Sequence, residues 1–229
     1  MIKSKLFVIA TPIGNLEDIT LRALKSLKEA DFILCEDTRV TGILLKHYEI
    51  KKELVSFNAQ SENKKIERVI ERINNGEICA LVSDAGTPCI SDPGVRLINA
   101  AIGHGIEITS IPGASALTSA LSIAGLPTDS FIFEGFLPQK KGRQTKLKLL
   151  AEESRTTVLY ESTHRIEKIL KELNEYMPAR FVVVCREITK KFEENWRGYP
   201  SELLNELPSR ILKGEFVIII APKDWIVKY

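Results

Sequence analysis

The sequence contains few of the residues that build metal centres and disulfide frameworks. Its 229 residues include only 4 Cys and 3 His, with no Cys-x-x-Cys pair and no His at ligand spacing from a cysteine. Structural zinc sites are built from such clustered ligands. We therefore expect reduced, structural cysteines and no bound metal.

Long apolar runs are also missing. No uninterrupted run approaches the roughly 20 residues that cross a bilayer as a helix. Residues 1–5 lead into a strand without the apolar core and cleavage site of a secretory signal. We expect a cytoplasmic protein with no membrane partner.

A strong charge of one sign is absent as well. The formal net charge is +2, with 44% hydrophobic and 27% charged residues, which is typical of a globular chain. Total charge therefore does not indicate a nucleic-acid-binding protein, and we expect no DNA partner. Any RNA contact has to come from a local basic patch.

Three common ligand-binding fingerprints do not occur. They are the dinucleotide motif Gly-x-Gly-x-x-Gly, the phosphate loop Gly-x-x-x-x-Gly-Lys-Ser/Thr and the zinc motif His-Glu-x-x-His. A nucleotide-like ligand held without tight phosphate wrapping therefore fits better than NAD or ATP.

The sequence does contain a regular alternation of short apolar runs and amphipathic segments, which predicts an α/β fold with helices on both faces of a parallel sheet. Strands are predicted in the first half at 6–10, 32–35, 54–57, 78–82 and 106–111. The pattern restarts near 125–127, with strands predicted at 131–133, 156–160, 181–185 and 216–220 and a further one at 192–196. We predict two α/β domains, 1–113 and 114–229.

The loop 83–94 organises the first half of the chain. It joins a buried strand to a helix, and it is rich in Gly, Pro, Ser and Asp. Ligands of open α/β sheets bind at the carboxyl ends of strands, and Asp84 places a carboxylate there. The alternative is a solvated connection in which Asp92 only caps the next helix. The other loops predicted at the same edge are 11–15, 36–39 and 112–116.

Six segments together carry a family resemblance: 11–20, 35–39, 83–88, 112–116, 134–138 and 160–165. They resemble ribosomal RNA small-subunit methyltransferase I, a group of the tetrapyrrole methylase-like superfamily, and the resemblance runs from about Leu6 to Ala221. One departure is Thr163, where the family pattern has proline; we expect Thr163 to cap the following helix. Many family members also continue into a small helical segment, whereas this sequence stops at Tyr229.

The resemblance implies two α/β domains, with a parallel sheet in the first, a mixed sheet in the second and the active site in the cleft. It implies S-adenosyl-L-methionine as cofactor and 2′-O-methylation of a cytidine ribose in small-subunit (16S) ribosomal RNA. It also implies that the enzyme is a homodimer. We expect the RNA to be methylated within an assembled subunit, with naked RNA as the alternative. The cofactor residues that it implies are Pro12, Asp84, Ala85, Gly86, Thr87, Ser115, Ala116 and Tyr160.

Three residues are candidates for accepting the proton of the ribose hydroxyl. Asp37 follows a predicted strand at the ligand edge, but it is equally suited to capping a helix. Glu161 has Arg165 four residues later, so a structural ion pair competes with a catalytic role. His164 serves either as a base or as a solvent-facing residue of a first helical turn.

The RNA phosphates require positive charge. The segment 138–148 is basic and is preceded by Gly and Pro, so we predict a mobile loop that contacts phosphate rather than an ordinary solvated face. The predicted RNA-contacting residues are Lys140, Lys141, Arg143, Arg39, Arg165 and Lys190. Phe136 and Trp196 suit either base stacking or core packing.

Two other functions remain open on the sequence alone. One is carbon methylation of a tetrapyrrole, an anionic macrocycle that a basic loop would also suit. The other is a non-catalytic RNA-binding factor of ribosome assembly, which would not need so elaborate a small-molecule cleft.

Overall fold

The computed structural model describes residues 5–58 and 62–226. The chain divides into two compact units, Met1–Ser115 and Ala116–Tyr229. Within the described residues, no helix is long and apolar enough to cross a membrane.

The first unit alternates strands and helices from end to end. Its elements are β1 (Lys5–Ile9), α1 (Leu21–Glu29), β2 (Phe32–Cys35), α2 (Thr38–His47), β3 (Glu53–Ser56), α3 (Glu62–Asn74), β4 (Ile78–Leu81), α4 (Val95–Gly103) and β5 (Glu107–Ile111). The strands form one sheet in the order β3-β2-β4-β1-β5, and every neighbouring pair is parallel.

Apolar residues cover both faces of this sheet. Leu6 and Phe32 belong to one buried cluster, whereas Phe7 and Ile33, the next residues along the same strands, belong to another. Successive side chains of a strand point to opposite faces. A strand buried on both faces therefore has to be a continuous apolar run, which explains why the apolar runs predicted these strands.

The second unit contains a mixed sheet. Its elements are α5 (Ala116–Ala124), β6 (Phe131–Phe136), α6 (Arg143–Ala151), β7 (Thr156–Ser162), α7 (Ile166–Tyr176), β8 (Val182–Arg186), β9 (Glu194–Gly198), α8 (Pro200–Glu206) and β10 (Glu215–Ile220). The strand order is β6-β7-β10-β8-β9, and only β6 and β7 are parallel among the neighbouring pairs. The predicted fold class, a parallel sheet followed by a mixed one, is confirmed.

Two local predictions are wrong. The basic segment 138–148 is not a loop throughout, because α6 begins at Arg143. Thr163 does not cap α7, whose N-cap residue is Arg165. The Thr163 hydroxyl instead donates to the Gly214 carbonyl and accepts from the Gly214 N–H, both at 2.7 Å. A backbone partner 51 residues away outcompetes the local helix end.

Candidate cofactor and RNA site

Backbone hydrogen bonds join the loop after β1 to the loop after β4. The N–H of Thr11 donates to the Gly86 carbonyl at 2.9 Å, and the N–H of Gly86 donates to the Thr11 carbonyl at 3.0 Å. The buried Thr11 hydroxyl adds a bond of 3.0 Å to the Ser83 carbonyl. Two carboxyl-end loops of the parallel sheet are thus held at a fixed separation.

Gly86 and Thr87 connect these two loops to a third, the loop after β5. Gly86 has φ +85°, and a Cβ there would lie 3.3 Å from the Ile13 side chain. The Thr87 hydroxyl donates to the Ala114 carbonyl at 3.3 Å, immediately before Ser115. Glycine is needed where the backbone turns through positive φ in such close packing. The structure thus brings Asp84–Thr87, the buried Pro12 and the loop that contains Ser115 to one edge of the sheet.

Asp84 lies within a group of carboxylates at this edge. Its Oδ1 accepts the backbone N–H of Asp37 at 2.9 Å, which links the loops after β2 and β4. Burial and then Asp84 raise the pKa of Glu36. Burial, followed by the charge of Glu36, raises the pKa of Asp92 to about 6. The raised pKa values therefore reflect burial of these carboxylates and their mutual repulsion.

Asp92 is therefore not the helix cap that the alternative interpretation of the loop required. The N-cap residue of α4 is Gly94, at φ +127°. A Cβ at Gly94 would lie 2.8 Å from both the Cys89 sulfur and the Leu81 side chain. The loop is packed around this glycine, which leaves Asp92 within the carboxylate group.

Asp37 is a helix cap in the structure. Its Oδ1 accepts the backbone N–H of Arg39 at 2.8 Å at the start of α2, and its Oδ2 lies 2.6 Å from the Arg39 guanidinium. The side-chain hydrogen bond from Arg39 lowers the pKa of Asp37 to about 2. An efficient general base has a pKa near the working pH, so this geometry argues against Asp37 as the base.

Glu161 also makes structural interactions, an ion pair and a backbone hydrogen bond. It is buried, with its Oε1 2.7 Å from the Arg165 guanidinium and 2.7 Å from the backbone N–H of Ser162 that donates to it. The ion pair between residues four apart is therefore present. His164, the third candidate base, is exposed in the turn after β7.

The chain is similar in sequence to known proteins over most of its length. Residues 5–204 match the family model described as tetrapyrrole (corrin/porphyrin) methylases. The chain is 46% identical over 220 residues to the ribosomal RNA small subunit methyltransferase I of Thermotoga maritima, covering 96% of this chain and 99% of that protein. The chain belongs to the ribosomal RNA small subunit methyltransferase I family, within the tetrapyrrole methylases.

Solved structures of other tetrapyrrole methylases share the fold. A cobalt precorrin-4 methyltransferase superposes with a TM-score of 0.71 at 21% identity, covering 95% of both chains. A uroporphyrin-III C-methyltransferase from Thermus thermophilus, complexed with S-adenyl homocysteine, superposes with a TM-score of 0.65 at 18% identity, covering 94% of this chain and 96% of that one. At 18–21% identity, this structural similarity shows that the chain shares their fold and nothing about its function.

Arg143 does not belong among the RNA-contacting residues of this family member. It is buried, with its guanidinium 2.6 Å from Glu172 and within 4.0 Å of Glu161. Its Nη1 donates to the Pro138 carbonyl at 3.0 Å. We correct the prediction accordingly, because a buried guanidinium with these partners is not available to a phosphate.

The other predicted basic residues are distributed differently. Lys140 and Lys141 are exposed just before α6. Arg39 pairs with Asp37, and Arg165 pairs with Glu161. Lys190 lies 2.9 Å from both Glu187 and Glu215. In the second unit, the two lysines therefore fit the predicted phosphate contact better than Lys190 does.

Three groups at the site escaped sequence reasoning. Thr11 holds two loops together, Glu36 adds to the carboxylate group, and Glu172 neutralises Arg143. Glu36 directly precedes Asp37 in a loop already predicted at the ligand edge, so its position was a usable signal. Glu172 lies 29 residues from Arg143, and nothing local indicates that pair.

Ala116 and Tyr160 belong to the second unit, where Ala116 begins α5 and Tyr160 lies in β7. Their predicted contact with the cofactor stays a prediction. Among the residues that the structure describes, no group of three or more His, Cys, Asp or Glu side chains is arranged to hold a metal ion.

Proposed function

We propose that this chain transfers the methyl group of S-adenosyl-L-methionine to the 2′-hydroxyl of a cytidine ribose in small-subunit (16S) ribosomal RNA. One observation carries the proposal: 46% identity, over nearly the full length of both proteins, to a ribosomal RNA small subunit methyltransferase I. The fold and the edge of the first sheet supply independent physical support.

The cluster of carboxylates at that edge, Glu36, Asp84 and Asp92, suits this cofactor. S-adenosylmethionine carries a sulfonium and an ammonium cation, and the pKa values of Glu36 and Asp92 are raised first by burial and then by the charges of neighbouring carboxylates. A cationic ligand would relieve the repulsion among carboxylates. The carboxylate of Asp84 and the backbone of 85–87 are the groups that would hold it, together with Pro12 in the adjoining loop. A structure of the same fold is complexed with S-adenyl homocysteine.

The proposed chemistry depends on alignment more than on a strong base. When bound, S-adenosylmethionine supplies a methyl group on a good sulfur leaving group, so that the O–C bond forms as the C–S bond breaks. Holding reactants in line at about 3–3.5 Å accounts for a large part of such a rate enhancement. Asp37 and Glu161 are both held by arginines, and we propose that the hydroxyl proton passes to solvent.

The RNA is proposed to contact the second unit through Lys140 and Lys141. Both are exposed, and the Arg143 bond to the Pro138 carbonyl fixes the segment that leads to them. Phosphate contacts by lysine release counterions and strengthen binding at low salt. We further propose a cytoplasmic protein that forms a homodimer, as the family resemblance implies, and acts on assembled subunits. The domain division at 113/114 is also retained as a proposal.

The experiment incubates the purified chain and tritiated S-adenosylmethionine with each of three acceptors: assembled small subunits, naked small-subunit RNA and a porphyrinogen. We expect label in RNA, with assembled subunits the better acceptor. Label in the porphyrinogen alone would support tetrapyrrole methylation instead. RNA binding without transfer to any acceptor would support a non-catalytic assembly factor.

A further inference from the structure

A β-bulge in β6 changes which face Phe136 occupies. Phe133 pairs with Val158 in β7, and after an irregularity Gly135 pairs with Leu159 and Phe136 with Tyr160. Phe133 and Phe136 are three residues apart, so a regular strand would point them to opposite faces. Val158 and Tyr160 share a face, and the extra residue Glu134 therefore puts both phenylalanines on that face with Tyr160. Bulges commonly re-aim a side chain beside a functional site.

The rings at this place form a compact aromatic group. Phe133 and Phe136 each meet Tyr160 edge-on, with centroids 4.9 Å and 5.8 Å away. Phe136 is nevertheless 52% exposed. The Arg165 guanidinium lies 5.7 Å from the Phe136 ring centroid, within cation–π range. Trp196, the other aromatic with a possible stacking role, is 2% exposed and packs in the core.

Phe136 is thus a ring held in place by its neighbours but open to solvent. Its strand register and the contact with Tyr160 restrict its motion. A rigid, exposed aromatic ring beside a guanidinium is the platform on which proteins stack an unpaired base. Two exposed lysines, Lys140 and Lys141, follow four and five residues later in the sequence and could supply positive charge to the backbone of the same RNA strand.

We propose that Phe136 is the stacking platform for an unpaired pyrimidine base of the RNA substrate, with Tyr160 and Arg165 as the residues that position its ring. This inference rests on the proposed RNA methyltransferase function and adds the residue that receives the base. Alignment of a ribose hydroxyl requires its nucleotide to be held out of a helix, and stacking of its base or of a neighbouring one provides that hold.

The first measurement is equilibrium binding of single-stranded oligocytidylate of about ten nucleotides, a length typical of single-strand sites, to the full chain over a series of salt concentrations. Phe136→Ala should weaken binding about 5- to 150-fold, the measured range for loss of one stacked base. The slope against salt should not change, because stacking releases no counterions. Phe136→Trp should bind like the wild type, and oligocytidylate should quench its additional fluorescence.

Phe131→Ala is the matched control, since Phe131 lies at the other end of the same strand and is 37% exposed. It should bind oligocytidylate like the wild type. Wild-type affinity in Phe136→Ala, an equal loss in Phe131→Ala, an unquenched Phe136→Trp, or no binding by the wild type would each overturn the proposal.

Methyl transfer to assembled subunits, measured in parallel, distinguishes failure of the stacking proposal from failure of the proposed function. Transfer by the wild type that is unaffected by Phe136→Ala would contradict the stacking proposal and leave the proposed function standing. Failure of the wild type to transfer methyl would contradict the proposed function, while the oligocytidylate result would still decide whether Phe136 stacks.

Discussion

The Oδ1 of Asp84 accepts the backbone N–H of Asp37 at 2.9 Å, across 47 residues of sequence. This bond fastens the loop after β4 to the start of α2. The same carboxylate is the group that is proposed to hold the cationic cofactor. Asp84 therefore both joins two loops of the site and belongs to the proposed cofactor-binding residues.

Replacing Asp84 should separate cofactor binding from folding. In Asp84→Ala, loss of a hydrogen bond to a charged group should cost about 1.5–3 kcal/mol of cofactor binding free energy, or roughly 10- to 150-fold in affinity. Isothermal titration calorimetry with S-adenosylmethionine and S-adenosylhomocysteine measures this loss.

Asp31→Ala is the matched control for that change. The Asp31 carboxylate accepts the backbone N–H of Ile78 at 2.7 Å, at the opposite, amino-terminal edge of the same sheet. It should lose stability comparably but keep the wild-type affinity. Wild-type affinity in Asp84→Ala would show that the loop does not hold the cofactor.

Asp37→Asn should leave most of the methyl-transfer rate intact. Asparagine preserves the capping oxygen, and a carboxylate with a pKa of about 2 is a poor base at neutral pH. Single-turnover transfer at saturating RNA and cofactor should slow by less than about tenfold, against the 10²–10⁴-fold typical of losing a general base.

The same assay tests His164, and thermal unfolding tests the structural role of Glu161. His164→Gln should also transfer within about tenfold of the wild type, because alignment supplies most of the rate. Glu161→Gln tests whether the buried pair with Arg165 is needed for folding, read from thermal unfolding. A loss of about 10²-fold or more in a folded Asp37→Asn or His164→Gln would identify that residue as the base.

Asp92 predicts a dependence of stability on pH. Its pKa is raised to about 6 from an ordinary 3.8, so the folded state binds a proton more tightly than the unfolded chain. Its contribution to stability is present below pH 3.8 and is lost as pH rises through 6. Asp92→Asn should therefore stabilise the protein at pH 7, by less than the roughly 3 kcal/mol that 1.4 kcal/mol per pKa unit would give, because Asp92 is partly exposed and solvent screens its charge.

The measurement is the difference in unfolding free energy between Asp92→Asn and the wild type from pH 4 to pH 8. This difference should grow between pH 4 and pH 6 and then level off. A difference that is flat across the whole range would contradict the raised pKa.

The sequence predicted features that depend on neighbours along the chain. The strand at 32–35 was placed correctly because a doubly buried parallel strand is a continuous apolar run. Its carboxyl-end loop followed from the same reasoning. The two possible roles of Asp37 were also visible, since an Asp before a helix is a common cap.

Features that depend on distant neighbours were not predictable in this way. Arg143 looked like one more residue of a basic run, but Glu172 on α7 draws it into the interior. Thr163 finds its partners at Gly214 rather than in the adjacent helix. The bulge before Gly135 leaves no local pattern, although it determines which face Phe136 occupies. Each outcome is decided by packing between elements.

Arg143 and the lysines beside it should therefore behave differently. Arg143→Ala leaves Glu172 without its arginine in a buried pair, and it should destabilise folding by about 3–5 kcal/mol. Lys140→Ala with Lys141→Ala should change stability by less than about 0.5 kcal/mol. The RNA binding of this double variant should show a salt slope smaller by about 0.7–0.9 for each phosphate that is no longer neutralised. An unchanged slope would make these lysines part of an ordinary solvated surface.

The most direct test of the account is nucleoside analysis of RNA from assembled small subunits methylated by this chain. After complete digestion, mass spectrometry should find the new methyl group on the ribose of cytidine, as 2′-O-methylcytidine. A methyl group on a base would contradict the account. So would the absence of any new methylated nucleoside when the protein is shown to bind S-adenosylmethionine.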